Sequence, residues 1–168
     1  MTRALPLLLS LALSACAPGV LDAGFEEALT ERCAFCSAGG DGDLSLQAAD
    51  PEATVKLWVW VEGALDGLGE GESRELPIEI GEAFTVAVTT GENLREPCSD
   101  VAMNEVQLLH YEASEGSATL LLEPWDDQGD PTWLATLALA DLVLEPEEGG
   151  EPVTLAAFAF EAVEIWER

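Results

Sequence analysis

Short runs in which every second residue is apolar recur along this chain from about residue 44 onward. A period of two places alternate side chains on the same face of a β-strand. Each run is short and rich in β-branched or aromatic residues, which favours strands over helices. The positions that share a face are Val55, Leu57, Val59 and Val61; Leu76, Ile78 and Ile80; Phe84, Val86 and Val88; Val106, Leu108 and His110; Ala118, Leu120 and Leu122; and Trp133, Ala135, Leu137 and Leu139.

Turn-forming residues separate these runs at intervals of strand length. Glycine, proline, aspartate and asparagine cluster at residues 63–71, 90–93, 128–131 and 145–150, and these residue types supply the backbone angles that turns need. No helix-length segment lies between the runs, which argues against parallel βαβ units. The sequence therefore predicts an all-β domain over residues 44–168. We expect an antiparallel β-sandwich of seven or eight strands, immunoglobulin-like in architecture, with a closed sheet as the alternative.

Two further features refine this prediction. Pro77 lies within a strand pattern and predicts an edge position, because proline donates no hydrogen bond to a neighbouring strand. The C-terminal segment fits either a helix or a strand, since Phe158 and Phe160 alternate but an apolar helical face is also present. Its aromatic and branched residues, and the turn at Gly149 and Gly150 before it, favour a closing strand.

The first sixteen residues form a separate leader. Arg3 gives a positive start, residues 4–13 are an apolar run, and small residues precede Cys16, which is the pattern of a secretory signal peptide. The stretch Leu13-Ser14-Ala15-Cys16 resembles the lipobox of bacterial lipoproteins at all four positions. The resemblance implies removal of a signal peptide over residues 1–15 and a diacylglycerol thioether on Cys16. A plain signal peptide with a cysteine at its junction is the alternative.

The apolar run is too short to anchor the protein by itself, because a spanning helix needs roughly 20 apolar residues. The lipoprotein resemblance therefore implies attachment through acyl chains, and two or more such chains hold a protein stably at a membrane surface. It places the mature protein in the cell envelope, outside the cytoplasm. Ala17 follows the cysteine where aspartate would favour retention in the inner membrane, so the outer membrane is the expected location.

Residues 16–43 are expected to form a lipidated, flexible tether that carries a Cys-x-x-Cys sequence. The stretch is rich in small residues and ends in Ala38-Gly39-Gly40-Asp41-Gly42, a composition typical of mobile linkers. A short helix over about residues 21–32 is the one element expected in it, because Phe25, Ala28 and Leu29 would share a helical face.

Acidic residues far outnumber basic ones. The chain has 33 aspartate and glutamate residues against six lysine and arginine residues, and its formal net charge is −27. Such a charge repels phosphate backbones, so nucleic acid is excluded as a partner. The hydrophobic share of 48% argues against disorder, and the acids are therefore expected on the surface and in turns. Three explanations stay open: a solvated surface, cation binding, and attraction to a basic partner.

Three cysteines remain if Cys16 carries lipid. Disulfides form in extracytoplasmic compartments, and we expect Cys98 to pair with Cys33 or Cys36, which leaves one thiol. Two alternatives use the same residues. Cys33 and Cys36 have the spacing of a redox-active pair, although no βαβ unit surrounds them. Together with Cys98 and His110 they would form a Cys3His set suited to zinc.

The sequence predicts no cofactor, and calcium is the alternative, for which two groups of acidic residues are candidate ligands. Asp41 and Asp43 begin an EF-hand-like spacing, although Leu46 stands where that loop needs glycine. The later positions of the same spacing are Ser45, Gln47 and Glu52. The second group lies in an expected loop and consists of Asp126, Asp127 and Asp130.

Trp58 and Trp60 lie two residues apart and are expected to project from one face of a strand. If that face is exposed, the indole rings are suited to stack on sugar rings, with neighbouring acids accepting hydrogen bonds from hydroxyl groups. If the face is covered, both tryptophans belong to the interior of the domain.

No catalytic constellation is apparent in the sequence. A serine or cysteine nucleophile needs a positioned base, and the only histidine lies among apolar neighbours of a predicted strand. The sequence therefore predicts a protein that is not an enzyme. We expect a membrane-anchored envelope lipoprotein that displays an acidic β-sandwich as a structural or interaction module, with an envelope protein or a glycan as partner. The alternative is a calcium- or glycan-binding module on the same anchor.

Overall fold

The fold is that of a computed structural model, whose described residues are 21, 23–36, 42–81, 83–94, 106–127 and 130–167. It contains a 3-10 helix, Phe25–Ala28, and eight strands. In chain order the strands are β1 (Glu31–Cys36), β2 (Leu44–Ala49), β3 (Val55–Val61), β4 (Arg74–Glu79), β5 (Phe84–Glu92), β6 (Val106–Asp127), β7 (Asp130–Pro146) and β8 (Val153–Glu167). No α-helix occurs across these residues, and the all-β prediction is confirmed.

Seven of the strands form a closed ring of hydrogen-bonded neighbours. The order is β1-β2-β3-β5-β6-β7-β8, and β8 pairs in turn with β1. Neighbours are antiparallel except for β1 and β8, which run parallel. An odd number of strands with alternating directions brings the first and the last together in the same direction, so this parallel pair follows from the strand count. The C-terminal segment is a strand, as predicted.

The closed sheet surrounds one hydrophobic core. Its opposite walls face each other across that core, as the two layers of a sandwich do, and the fold is consistent with the predicted all-β sandwich. An immunoglobulin-like architecture is not confirmed, because the eight strands belong to one sheet and not to two. The largest fully buried side chains are Phe84, Phe160, Leu29, Leu44, Leu46, Leu57, Leu120, Leu122, Leu137, Leu139, Leu142 and Leu144.

The eighth strand, β4, lies outside the ring. It pairs with residues 117–122 of β6, whereas β5 pairs with residues 106–112 of the same strand. No strand of the described chain pairs with the other edge of β4. Pro77 therefore lies on an edge strand, as the sequence predicts, and the exposed Glu75 and Glu79 beside it further discourage pairing with another chain.

The three longest strands, β6, β7 and β8, bend near their middles. On β7, Leu139 and Leu142 both face the core although they are three residues apart, so the period of two is interrupted between them. Positive φ angles occur at Gly116 (130°), Asp141 (53°) and Ala162 (48°), and the pairing register shifts nearby on β6 and β8. Such irregularities bend a strand and increase its twist. They allow long strands to wrap around a small core.

The segment before β1 is part of the domain. Leu21, Phe25 and Leu29 are buried in the core, and the Leu21 backbone N–H donates to the Tyr111 hydroxyl at 3.1 Å. β1 then pairs with β2 over six residue pairs. The tether predicted over residues 16–43 is therefore wrong for Leu21 and residues 23–36, because Leu21, Phe25 and Leu29 are buried in the core and β1 is part of the sheet. The helix expected over residues 21–32 is reduced to Phe25–Ala28.

We expect Gly116→Ala to lower the free energy of unfolding by about 2–4 kcal/mol. A Cβ atom at this position would lie 2.9 Å from the Leu142 Cα and 3.1 Å from the Ala140 carbonyl oxygen. The backbone angle there is also one that essentially only glycine adopts.

Gly67→Ala is the matched control, because Gly67 also has a positive φ, 64°, but a Cβ atom added there would have nothing within 4 Å. It should cost only about 1–2 kcal/mol. Urea unfolding curves measure both losses. Equal losses in the free energy of unfolding would show that the close approach of β6 and β7 at Gly116 does not contribute to stability.

Candidate functional site

Outward-facing side chains on β1, β2, β3 and β5 form the candidate site, which we call the tryptophan face. On β3, Leu57 and Val59 are fully buried on the core side, so the residues between them point outward. Strand pairing aligns these outward residues in two rows. One row is Cys33, Gln47, Trp58 and Ala87, and the other is Ser45, Trp60 and Thr85.

Trp58 and Trp60 lie next to each other on this face. Trp58 is 37% exposed, and Trp60 is half-buried. The Trp58 indole N–H donates to the Ser45 hydroxyl at 2.8 Å, and the two ring systems are 6.0 Å apart with an angle of 49° between their planes. The hydrogen bond satisfies the polar atom of the indole and fixes the ring, while part of its apolar surface stays open to solvent.

Polar groups border the exposed ring. Gln47 is opposite Trp58 across the β2–β3 pair and is half-buried, and Ala87 is opposite it across the β3–β5 pair and is buried. Glu112 comes next in the same row, opposite Ala87, and is exposed. An apolar ring surface beside an amide group, with a carboxylate two strands away on the same face, is suited to bind a sugar by stacking and by hydrogen bonds to its hydroxyl groups.

Cys33 lies in the same row and is disulfide-bonded. Its side chain is 2% exposed. Cys36 is three residues further along the same extended strand, which separates the two Cα atoms by about 10 Å. That distance exceeds the limit of about 7 Å for a disulfide. Cys33 is therefore not joined to Cys36, and its partner lies outside the described residues, as Cys98 and Cys16 both do.

His110 takes part in a local hydrogen bond on the outward side of β6. Its Nδ1 lies 3.1 Å from the Thr89 hydroxyl, and the side chain is half-buried. Because Cys33 is oxidised, it does not complete the Cys3His zinc set with His110. Within the described ranges, no group of three or more histidine, cysteine, aspartate or glutamate side chains is arranged to hold a metal ion.

The EF-hand-like spacing does not form a loop. Ser45 and Gln47 lie in β2, which is paired on both sides, and an extended strand does not wrap around a cation as that loop must. The Asp43 carboxylate accepts a hydrogen bond from the Gly63 N–H at 2.8 Å. Asp43 therefore joins two neighbouring turns, and Asp41 lies outside the described residues.

The second acidic group lies at the end of the β6–β7 hairpin. Asp127 is paired with Asp130, so only two residues connect these strands, and Asp126 belongs to the paired part of β6. The loop expected here is therefore much shorter than the sequence suggested. The side chains of these three residues are outside the described part of the molecule, and calcium binding by them stays a prediction.

Both arginines that the structure describes bind main-chain oxygen atoms. Arg32 donates to the Ala159 carbonyl at 2.7 Å, and its guanidinium group lies 4.9 Å from the centre of the Phe158 ring. Arg74 donates to the Asp66 carbonyl at 2.7 Å. Sequence reasoning missed the Arg32 contacts and the partnership of Ser45 with Trp58, because both depend on strand pairing between distant residues.

No family model matches this chain, and neither a curated protein nor a solved structure is significantly similar to it. In the part of the chain that the structure describes, no helix has the length and apolar character needed to cross a membrane.

We expect one reactive thiol per mature chain when the lipidated protein is unfolded without reductant, and three after reduction. Cys33 and its partner are oxidised, and Cys36 cannot pair with Cys33 along one strand. Thiol titration in guanidinium measures the number, and peptide masses identify the partner.

Cys33→Ser is the control, and it should expose two thiols without reductant. Two thiols in the unchanged protein would mean that Cys16 carries no lipid, because Cys36 would then titrate together with either Cys16 or Cys98, and the peptide masses distinguish these cases. Three thiols would contradict an oxidised Cys33.

Proposed function

We propose that this protein is a bacterial envelope lipoprotein, held at the outer membrane and outside the cytoplasm by acyl chains on Cys16. We further propose that its domain is a structural or interaction module and not an enzyme. The observation that carries the proposal is the lipobox-like stretch Leu13-Ser14-Ala15-Cys16 at the end of an apolar leader. Removal of residues 1–15 leaves a mature chain that starts with the lipidated cysteine.

The oxidation of Cys33 supports an extracytoplasmic location. Disulfides persist in the periplasm and outside cells, and they are rare in the reducing cytosol. We propose Cys98 as the partner, because Cys16 carries the lipid and Cys36 is too far along the same strand. A disulfide that closes a loop of about 65 residues would stabilise the fold by about 4 kcal/mol in the chain-entropy model.

The distribution of charge supports a module that works at a solvated surface. The acidic side chains on β4 are exposed, and so are Glu112 and Glu115 on β6 and Glu145 on β7. Arg32 and Arg74 donate hydrogen bonds to carbonyl oxygens, so these cations are engaged with the main chain. A surface of this kind stays soluble and favours a basic or uncharged partner over a phosphate-rich one.

Mass spectrometry of the protein from its native membrane tests the anchor. We expect the mature chain to lack residues 1–15 and the peptide that begins with Cys16 to carry the mass of the attached lipid. Cys16→Ala should abolish the added mass, and release from the membrane fraction should follow if the leader is still cut. Cys36→Ala is the matched control and should leave the lipid in place. An unmodified Cys16 in the mature protein would refute the proposal.

Glycan binding at the tryptophan face is the second candidate function, and the exposure of Trp58 favours it. The ring is fixed by the Ser45 hydroxyl and is bordered by Gln47, and Glu112 lies two strands away in the same row. A pre-positioned aromatic ring binds a sugar at low entropic cost. In this role the domain recognises a neutral oligosaccharide of the envelope while it stays on the same anchor.

Trp58→Ala is expected to weaken binding of a recognised oligosaccharide about tenfold, which corresponds to about 1.4 kcal/mol. Trp125→Ala is the matched control, because Trp125 is 45% exposed but lies away from this face on the β6–β7 hairpin. Calorimetry with a panel of neutral oligosaccharides and peptidoglycan fragments measures both variants. An equal effect of the two substitutions, or no binding to any member of the panel, would remove this candidate.

A further inference from the structure

We infer that the domain stands with one particular end of its sheet against the membrane that carries its anchor. The inference rests on the proposed lipidation of Cys16. We call this end the N-terminal rim, and it comprises the start of β1, the turn at residues 50–54, the end of β5, the first residues of β6 and the turn at residues 147–152. The opposite rim comprises the turn at residues 62–73 and the end of the β6–β7 hairpin.

The connection between the anchor and the folded domain is very short. Leu21 is already part of the core, with 4% exposure, and its N–H is bonded to the Tyr111 hydroxyl. Only residues 17–20 lie between Cys16 and Leu21. Five residue steps extend at most about 18 Å, even when the chain is fully stretched. The lipid therefore holds the domain close to the headgroups.

The contact with Tyr111 shows which end of the sheet is held. Tyr111 is paired with Pro146, the last residue of β7 before the turn at residues 147–152. Leu21 therefore lies at the N-terminal rim. From there β7 extends over 17 residues to the hairpin end, a path of up to roughly 50 Å along a strand. This exceeds the reach of the anchor, so the lipid holds the N-terminal rim at the membrane, and the hairpin end is the end of the sheet farthest from the point of attachment.

The chemistry of the N-terminal rim determines how closely it approaches the lipids. Val106 is 46% exposed and Leu108 is 39% exposed at the start of β6. Among the described residues of the rim, the exposed acidic side chains are Glu31, Glu52, Glu92, Glu147, Glu148 and Glu151. These acids repel anionic headgroups within about one Debye length, near 10 Å at 0.1 M salt. On an anionic membrane the acyl chains keep the rim near the headgroups, whereas repulsion between the carboxylates and the headgroups opposes closer approach.

Paramagnetic broadening of amide signals tests this orientation. The lipidated mature protein is placed in nanodiscs of zwitterionic lipid in which a small share of headgroups carries chelated gadolinium. Amides of Ala53 and Gly149 at the N-terminal rim should broaden several-fold more than those of Gly67 and Gly71 at the opposite rim. With anionic lipid in the disc, added salt should increase the broadening at the N-terminal rim.

The matched control carries a flexible insertion of about 20 glycine and serine residues after Pro18, which raises the typical span of the connection to roughly 25–30 Å. The insertion should abolish most of the difference in paramagnetic broadening between the two rims. Equal broadening at both rims of the unchanged protein, or a profile that the insertion leaves unaltered, would overturn the inference. A mass spectrum of the same sample separates the two proposals: a lipidated Cys16 with equal broadening refutes the orientation alone, whereas an unmodified Cys16 refutes both.

Discussion

β1 and β8 meet over only three residue pairs, from Ala34 opposite Ile165 to Cys36 opposite Glu167, and this short seam closes the sheet. Without it, both strands would present an open edge, and unpaired N–H and C=O groups along such an edge attract strands of other molecules. Ala34 and Ile165 are buried at the seam, so apolar contact supports the hydrogen bonds there. β4 lies outside the ring and no described strand pairs with its outer edge, where Pro77 discourages pairing with another chain.

Closure of the sheet also explains the backbone irregularities near the middle of the long strands. A sheet that returns to its first strand has to curve strongly, and β6, β7 and β8 contribute most of its length. Their curvature is concentrated at positions such as Gly116 and Asp141, where the backbone leaves the ordinary strand conformation. Gly116 allows the closest approach of β6 to Leu142, and a larger residue would push these strands apart. Local backbone strain thus permits the global shape.

Much of the strand content could be predicted from alternation, whereas the closure of the sheet could not. β3 shows a period of two because one of its faces meets the core. In β5 the core-facing Phe84, Val86 and Val88 alternate as well, although the outward-facing Ala87 is also buried. β1 lacks that signal, since Cys33 and Ala34 are both buried although they point to opposite faces. Its pairing with β8 joins residues more than 130 positions apart. For the candidate site, alternation predicts a common face for Trp58 and Trp60 but not their exposure, which depends on register and on the Ser45 hydrogen bond.

The parallel course of β1 and β8 has a practical consequence for the two ends of the domain. β1 starts beside the Leu21 segment, whereas β8 finishes next to Cys36, at the other pole of the sheet. In the proposed orientation, a reporter enzyme or an epitope joined after the last strand would stand at the pole remote from the membrane. Antibody labelling of such a fusion on intact cells would then indicate which side of the bilayer the polypeptide occupies, without disturbing the leader or the residues that follow it.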